Sequence, residues 1–228
     1  MIGSNLFRDR VEAGRLLADE IERRNYVDPV VLALPRGGIP LAVEIGRRLN
    51  APVDLVLVRK IGHPLQPELA VGAVVDGKHP EIVYNDPVIE MSGLTRASVD
   101  DQAASQLDEI ERRRRLYFHD RDRVEIASRT AIVVDDGIAT GATARAALHA
   151  LRRRAPRLLV LAVPVAPADT VAELKSEVDD LICLSQPDPF FAIGVHYRDF
   201  HQLTDNDVIV LLAETDSLSE VQAASSTE

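Results

Sequence analysis

The 228-residue chain has one cysteine and no tryptophan, and aromatic residues make up only 4% of it. Cys183, alone in the apolar run Leu181 to Leu184, excludes a disulfide framework and a cysteine metal cluster, and it suits a reducing cytoplasm. Long apolar runs are also missing. The longest, Leu158 to Ala168, is short and broken by prolines, and no apolar stretch precedes the charged start at Arg8 and Asp9. Neither a membrane span nor a secretory leader is expected. Positive charge is scarce: 26 Lys and Arg against 36 Asp and Glu give a formal charge of −10. That balance argues against a nucleic-acid surface built on many phosphate contacts. The basic runs Arg112 to Arg115 and Arg152 to Arg154 lie in helical sequence, the first beside Asp108, Glu109 and Glu111, and read as solvated faces. There is no Gly-x-x-x-x-Gly-Lys-Ser/Thr loop, and no Gly-x-Gly-x-x-Gly follows a candidate strand. His196 and His201 lack a ligand set for a metal, and His63 reads as a loop residue.

The length accommodates one α/β domain with a sizeable core. Strand-like runs at Val30 to Leu34, Val53 to Val58, Thr130 to Asp135, Leu158 to Val163 and Leu181 to Leu184 alternate with helical stretches. These stretches lie near Arg8 to Arg24, Ile39 to Leu49, Ala142 to Arg154 and Ala168 to Ser176, the pattern of a parallel twisted sheet with helices on both faces. In the first helix Phe7, Val11, Gly14, Leu17, Ala18 and Ile21 recur at three or four residues and mark a core-facing side. A helical insertion at about 92–119, with Ala103, Leu107, Ile110 and Tyr117 along one side, interrupts the core of about 28–186. One domain is expected over 1–213. Beyond it the Ser-, Thr-, Glu- and Ala-rich composition cannot offset its ordering entropy, so 214–228 is expected to be a disordered tail.

The most informative stretch is Ala131 to Thr143. Four apolar residues end at Asp135 and Asp136, placing two carboxylates at the carboxyl end of a strand, where α/β proteins bind ligands. Burial in the core is not expected for either. Ala139, Thr140, Gly141, Ala142 and Thr143 then form a small-residue turn that opens a helix. Its free N–H groups, hydroxyls and dipole suit a phosphate. The residues alone also allow a strand-turn-helix junction of another nucleotide-binding protein, with the acids capping the helix.

This stretch resembles the PRPP-binding motif of the type I phosphoribosyltransferases: four apolar residues, two acids, a spacer, then Thr-Gly-x-Thr. The resemblance implies a Rossmann-like core with a small hood. It places Asp135 and Asp136 along the ribose hydroxyls and the developing ring cation, and Ala139 to Thr143 around the 5′-phosphate. Leu32 to Ile39 ends a strand in Pro35-Arg36-Gly37-Gly38 and looks like the family's pyrophosphate loop, in which an unusual peptide geometry is common. Arg36 offers a planar fork and the glycines offer N–H groups. After Val58, Arg59 and Lys60 are candidates to reach the leaving pyrophosphate from an irregular lid at Ile61 to Leu69. The segment at about 186–205 is the expected hood, where Phe190 or Phe191 would stack on a planar acceptor and Tyr197 or Asp199 would read its polar edge. A small satellite core around these aromatics is the other reading of them.

What the resemblance implies is a Mg2+-dependent transfer of phosphoribosyl from PRPP to a nitrogenous acceptor. The magnesium would be held through PRPP and water near Asp135 and Asp136, and resembling proteins often self-associate as homo-oligomers. Relatives acting on 6-oxopurines carry an acid immediately before Thr-Gly. This chain has Ala139 there, which weakens hypoxanthine and guanine as acceptors. A PRPP sensor without acceptor chemistry is the competing expectation.

Overall fold

The computed structural model describes residues 7–77, 80–118 and 123–225. Helix α1 (Arg10–Glu22) leads to β1 (Pro29–Ala33), α2 (Ile39–Leu49) and β2 (Val53–Leu55). A smaller unit follows: β3 (Val58–His63), β4 (Gln66–Val75), β5 (Glu81–Tyr84), α3 (Asp86–Met91) and α4 (Arg96–Phe118). The chain then resumes with β6 (Thr130–Val134), α5 (Ala142–Arg153), β7 (Leu158–Val165), α6 (Ala168–Leu174) and β8 (Asp180–Ser185). A 3-10 turn at Ile193–His196 and α7 (Asp205–Ser225) complete it.

Five strands form one parallel sheet in the order β2-β1-β6-β7-β8. Alternate residues of the central strands enter opposite layers, as the two-residue period of a strand requires. Val31, Ala33, Ile132 and Val134 pack with Leu17 and Ile21 of α1 and Leu41 and Ile45 of α2. Val30, Leu32, Ala131 and Val133 pack with Ala147, Leu148 and Leu151 of α5. Covered on both faces, these strands are apolar throughout, and each fully buried Leu or Ile contributes about 1.5–3 kcal/mol. From β1 the chain moves outward to β2, and from β6 it moves the other way to β7 and β8. The gap beyond the carboxyl ends of β1 and β6 is therefore the topological switch point.

The second sheet, β3-β4-β5, is antiparallel. Ile61, Val71 and Val74 share a core with Val99, Ala103 and Ile110 of α4, while Ala73 and Val75 join the layer of α5. Three expectations change here. The apolar run at 53–58 is two strands: β2 stops at Leu55, and β3 starts at Val58 in the other sheet. The irregular lid at 61–69 is a hairpin, with His63 opposite Gln66 across a Pro64-Leu65 turn. Where composition suggests disorder from 214, α7 continues to Ser225, anchored by buried Val208, Leu212 and Thr215. Residues 226–228 of that expected tail lie outside the described residues. None of the described helices is long and apolar enough to cross a membrane.

Candidate functional site at the switch point

Two turns meet beyond β1 and β6. The first, 34–38, contains a cis peptide between Pro35 and Arg36. It is packed without spare room: a methyl on Gly38 would lie 2.4 Å from the Val134 carbonyl and 2.8 Å from that of Leu34. A methyl on Gly37 would lie 2.1 Å from Asp136 Oδ2. The absent side chains are what let the Asp136 carboxylate rest on this turn.

Asp136 is buried, contrary to the expectation for an acid at a strand end. The reason is Arg10 at the start of α1, whose Nε donates to Asp136 Oδ2 at 2.8 Å. The Asp136 carbonyl accepts from the Tyr197 hydroxyl at 2.5 Å, and its N–H donates to Asp135 Oδ1 at 2.9 Å. Burial and the Asp136 charge push the Asp135 carboxyl well above the usual range. Burial also raises Asp136, but the Arg10 guanidinium opposes it. Arg10 thus favours Asp136 as the ionised member of the pair, since two adjacent carboxylates resist double ionisation.

The second turn, 137–141, is open at its tip. Ala139 and Thr140 are exposed, Gly141 takes a left-handed φ of +74° as it enters α5, and Ala142 and Thr143 form the first helical turn. The turn is braced from outside, where Thr170 Oγ1 donates to the Ala139 carbonyl at 2.8 Å. An exposed turn at the amino end of a helix can receive an anion.

The other expected site residues separate. Lys60 and Arg59 are neighbours on β3 and so face opposite ways. Lys60 lines a cavity of about 390 Å³ that also reaches Thr140 and Ala142. Arg59 instead lies against α4, its Nε donating to Gln106 Oε1 at 3.3 Å. Arg36 lies 3.6 Å from Asp205 at the start of α7, and Asp205 also accepts from Tyr117.

Within the hood, Tyr197 cannot read an acceptor edge. Its ring is buried beside Phe7 and Phe200, and its hydroxyl is committed to Asp136. Phe190 stacks on His196 at 5.5 Å, so these two rings form the satellite core. Asp199 is exposed beside His201. Phe191 is 80% exposed. Reasoning from sequence missed Arg10 altogether. The available signal was a charge on the apolar stripe of α1, at a position spaced with Phe7, Ala13, Leu17 and Ile21.

A parallel α/β sheet with paired carboxylates and an anion-sized turn at its switch point is the arrangement at which α/β folds place ligands. The chain belongs to the phosphoribosyl transferase domain family, which matches residues 8–199. It is 44% identical over 207 residues to a Mycobacterium tuberculosis protein, from strains H37Rv and CDC 1551, that is provisionally named a phosphoribosyl transferase. That match covers 91% of this chain and 46% of the relative, so the chain spans about half the length of the curated relatives it matches. The crystal structure of TT1426 from Thermus thermophilus is similar, with a TM-score of 0.79 and 40% identity, covering 92% of this chain and 98% of that one.

Proposed function

We propose that the protein transfers the 5-phosphoribosyl group of PRPP to a ring nitrogen of a small heterocyclic acceptor and releases pyrophosphate. The observation that carries this reading is the convergence of the 34–38 turn, the Asp135-Asp136 pair and the open 139–143 turn at one switch point. Their order matches the pyrophosphate, ribose and 5′-phosphate of a single donor.

In this reading the C1–O bond to pyrophosphate breaks first, its electron pair leaving with pyrophosphate, and the sugar passes through an oxocarbenium-like state. The acceptor nitrogen lone pair then forms the C1–N bond on the opposite face, and a proton carried by that nitrogen passes to the released pyrophosphate. Asp136 supplies fixed negative charge beside the cationic sugar, and Asp135 bonds a ribose hydroxyl. The Gly37 N–H is offered to the leaving group, the Gly38 N–H being taken by the Leu34 carbonyl at 3.0 Å, with Arg36 able to exchange Asp205 for phosphate oxygens. Lys60, lining the cavity that also reaches Thr140 and Ala142, is the cation that the hairpin offers to the donor. Exposed Phe191 is the aromatic surface left for a planar acceptor.

Magnesium fits this set in one manner. Among the described residues no group of three or more His, Cys, Asp and Glu side chains could hold a metal ion. Two carboxylates suit an ion that keeps its waters and takes its remaining oxygens from substrate phosphates. When bound, it would neutralise charge on the departing pyrophosphate.

The test is pyrophosphate release from PRPP with a panel of heterocycles, comparing wild type with Asp136→Asn. Turnover that the variant loses by 100-fold or more is expected, with hypoxanthine and guanine among the poorest acceptors because Ala139 offers them no acid. Unchanged turnover in Asp136→Asn would refute the assignment. Arg36 and Arg59 both have partners within the protein. That engagement favours, as the second reading, a PRPP-binding regulator, which would bind PRPP and release no pyrophosphate with any acceptor.

A further inference from the structure

Resting on the phosphoribosyltransferase reading, we infer that Arg10 is a positioning residue, fixing the Asp136 carboxylate for the ribose and tying it to the hood. Arg10 occupies a core position of α1 and is 8% exposed. Its guanidinium is held in three ways: Nε donates to Asp136 Oδ2 at 2.8 Å, Nη1 donates to the His201 carbonyl at 2.8 Å, and Cζ lies 3.9 Å from the centre of the Phe200 ring. Two directed bonds and the Phe200 ring beneath Cζ hold the fork in place, which a flexible ammonium does not reproduce.

Asp136 is constrained to match. One carboxylate oxygen is taken by Arg10, the carboxylate lies over Gly37, and its main-chain carbonyl is held by Tyr197. The carboxylate also shares a hydrogen bond with the Asp135 side chain, so the two acids meet the donor as one unit. The clamp is also structurally continuous with the hood. Phe7 N–H donates to the His196 carbonyl, Arg198 N–H to the Phe7 carbonyl and Asp199 N–H to the Arg8 carbonyl, at 2.8–2.9 Å. Any acceptor that shifts Phe200 or His201 acts through Arg10 on the carboxylate beside the sugar.

The experiment is calorimetric titration of Mg-PRPP, and separately of inorganic phosphate, into wild type, Arg10→Lys, Arg10→Met, Asp136→Asn and the Arg10→Met/Asp136→Asn double variant. Arg10→Met is expected to weaken PRPP at least 30-fold and phosphate less than 3-fold. The double variant should bind PRPP no more weakly than the worse single one, because both act through one carboxylate. Arg10→Lys keeps the charge without the fork, and a PRPP loss of about 10-fold is expected; it carries the test if Arg10→Met does not fold. Equal losses for PRPP and phosphate, or additive losses in the double variant, would reduce Arg10 to a structural residue and overturn the inference alone. A wild type that does not bind PRPP overturns the phosphoribosyltransferase reading, and this inference with it.

Discussion

The turns after β1 and β6 both use glycine, for opposite reasons. At Gly37 and Gly38 the backbone needs space: neighbouring carbonyls and a carboxylate occupy the volume a side chain would take. At Gly141 the crowding is milder, since an added methyl would press on the Leu174 and Thr170 side chains at 3.2 Å, and the left-handed dihedral is the main constraint. One turn is a packed seat and the other an open mouth. A site that grips one end of a ligand and admits the other needs both kinds.

Substitutions that act on space, dihedral, charge or hydroxyl alone separate the two turns. The largest effect is expected at Gly38→Ala, whose methyl meets two main-chain carbonyls of the sheet. Urea unfolding should show a loss of about 3 kcal/mol, and a loss no larger than a surface change would mean that the first turn is not packed as described. Next comes Gly141→Ala, where a left-handed backbone costs about 1–2 kcal/mol. Phosphate affinity should fall with stability, and a cost near zero would remove the dihedral argument.

Asp135→Asn should act in the opposite direction. The Asp135 carboxyl is raised by burial and by Asp136, so its contribution to stability is complete below the unfolded value and lost as pH rises through the folded one. The amide variant is therefore expected to be more stable than wild type at pH 7, with the gain shrinking toward pH 4. A gain that grows on acidification would contradict the shift. The smallest effect on stability is expected at exposed Thr140→Ala, within about 0.5 kcal/mol. PRPP affinity should nevertheless drop about 10-fold, as loss of a hydrogen bond to a charged group implies. An unchanged affinity would move the phosphate elsewhere.

The parallel sheet was legible because Val30 to Leu34 and Ala131 to Val134 are apolar on both faces, which only a doubly covered strand tolerates. The carboxylates and both turns were legible because motif and strand end coincide. The run at 53–58 was misread because continuous apolarity does not mark where a chain leaves one sheet for another. The hairpin was misread because Gly62, Pro64 and Pro67 resemble loop punctuation, and the register shifts after Ile61 and Gly62 spoil its alternation. Strand β5 and helix α3 left no pattern that reasoning from sequence used. Arg10 was invisible for a different reason. Its partner is 126 residues away, and no local rule connects a helix start to the end of a strand in the middle of the chain.

That separation also orders events in time. The bonds that seat Arg10 span 126 and 191 residues, so they close some of the longest loops in the molecule. Contacts of such sequence separation are slow to form, whereas the β6, α5 and β7 succession is local. During refolding the sheet is expected to acquire its secondary structure while Asp136 is still without its clamp. PRPP binding would then return later than the far-ultraviolet circular dichroism signal, and simultaneous recovery would show that the clamp forms with the sheet.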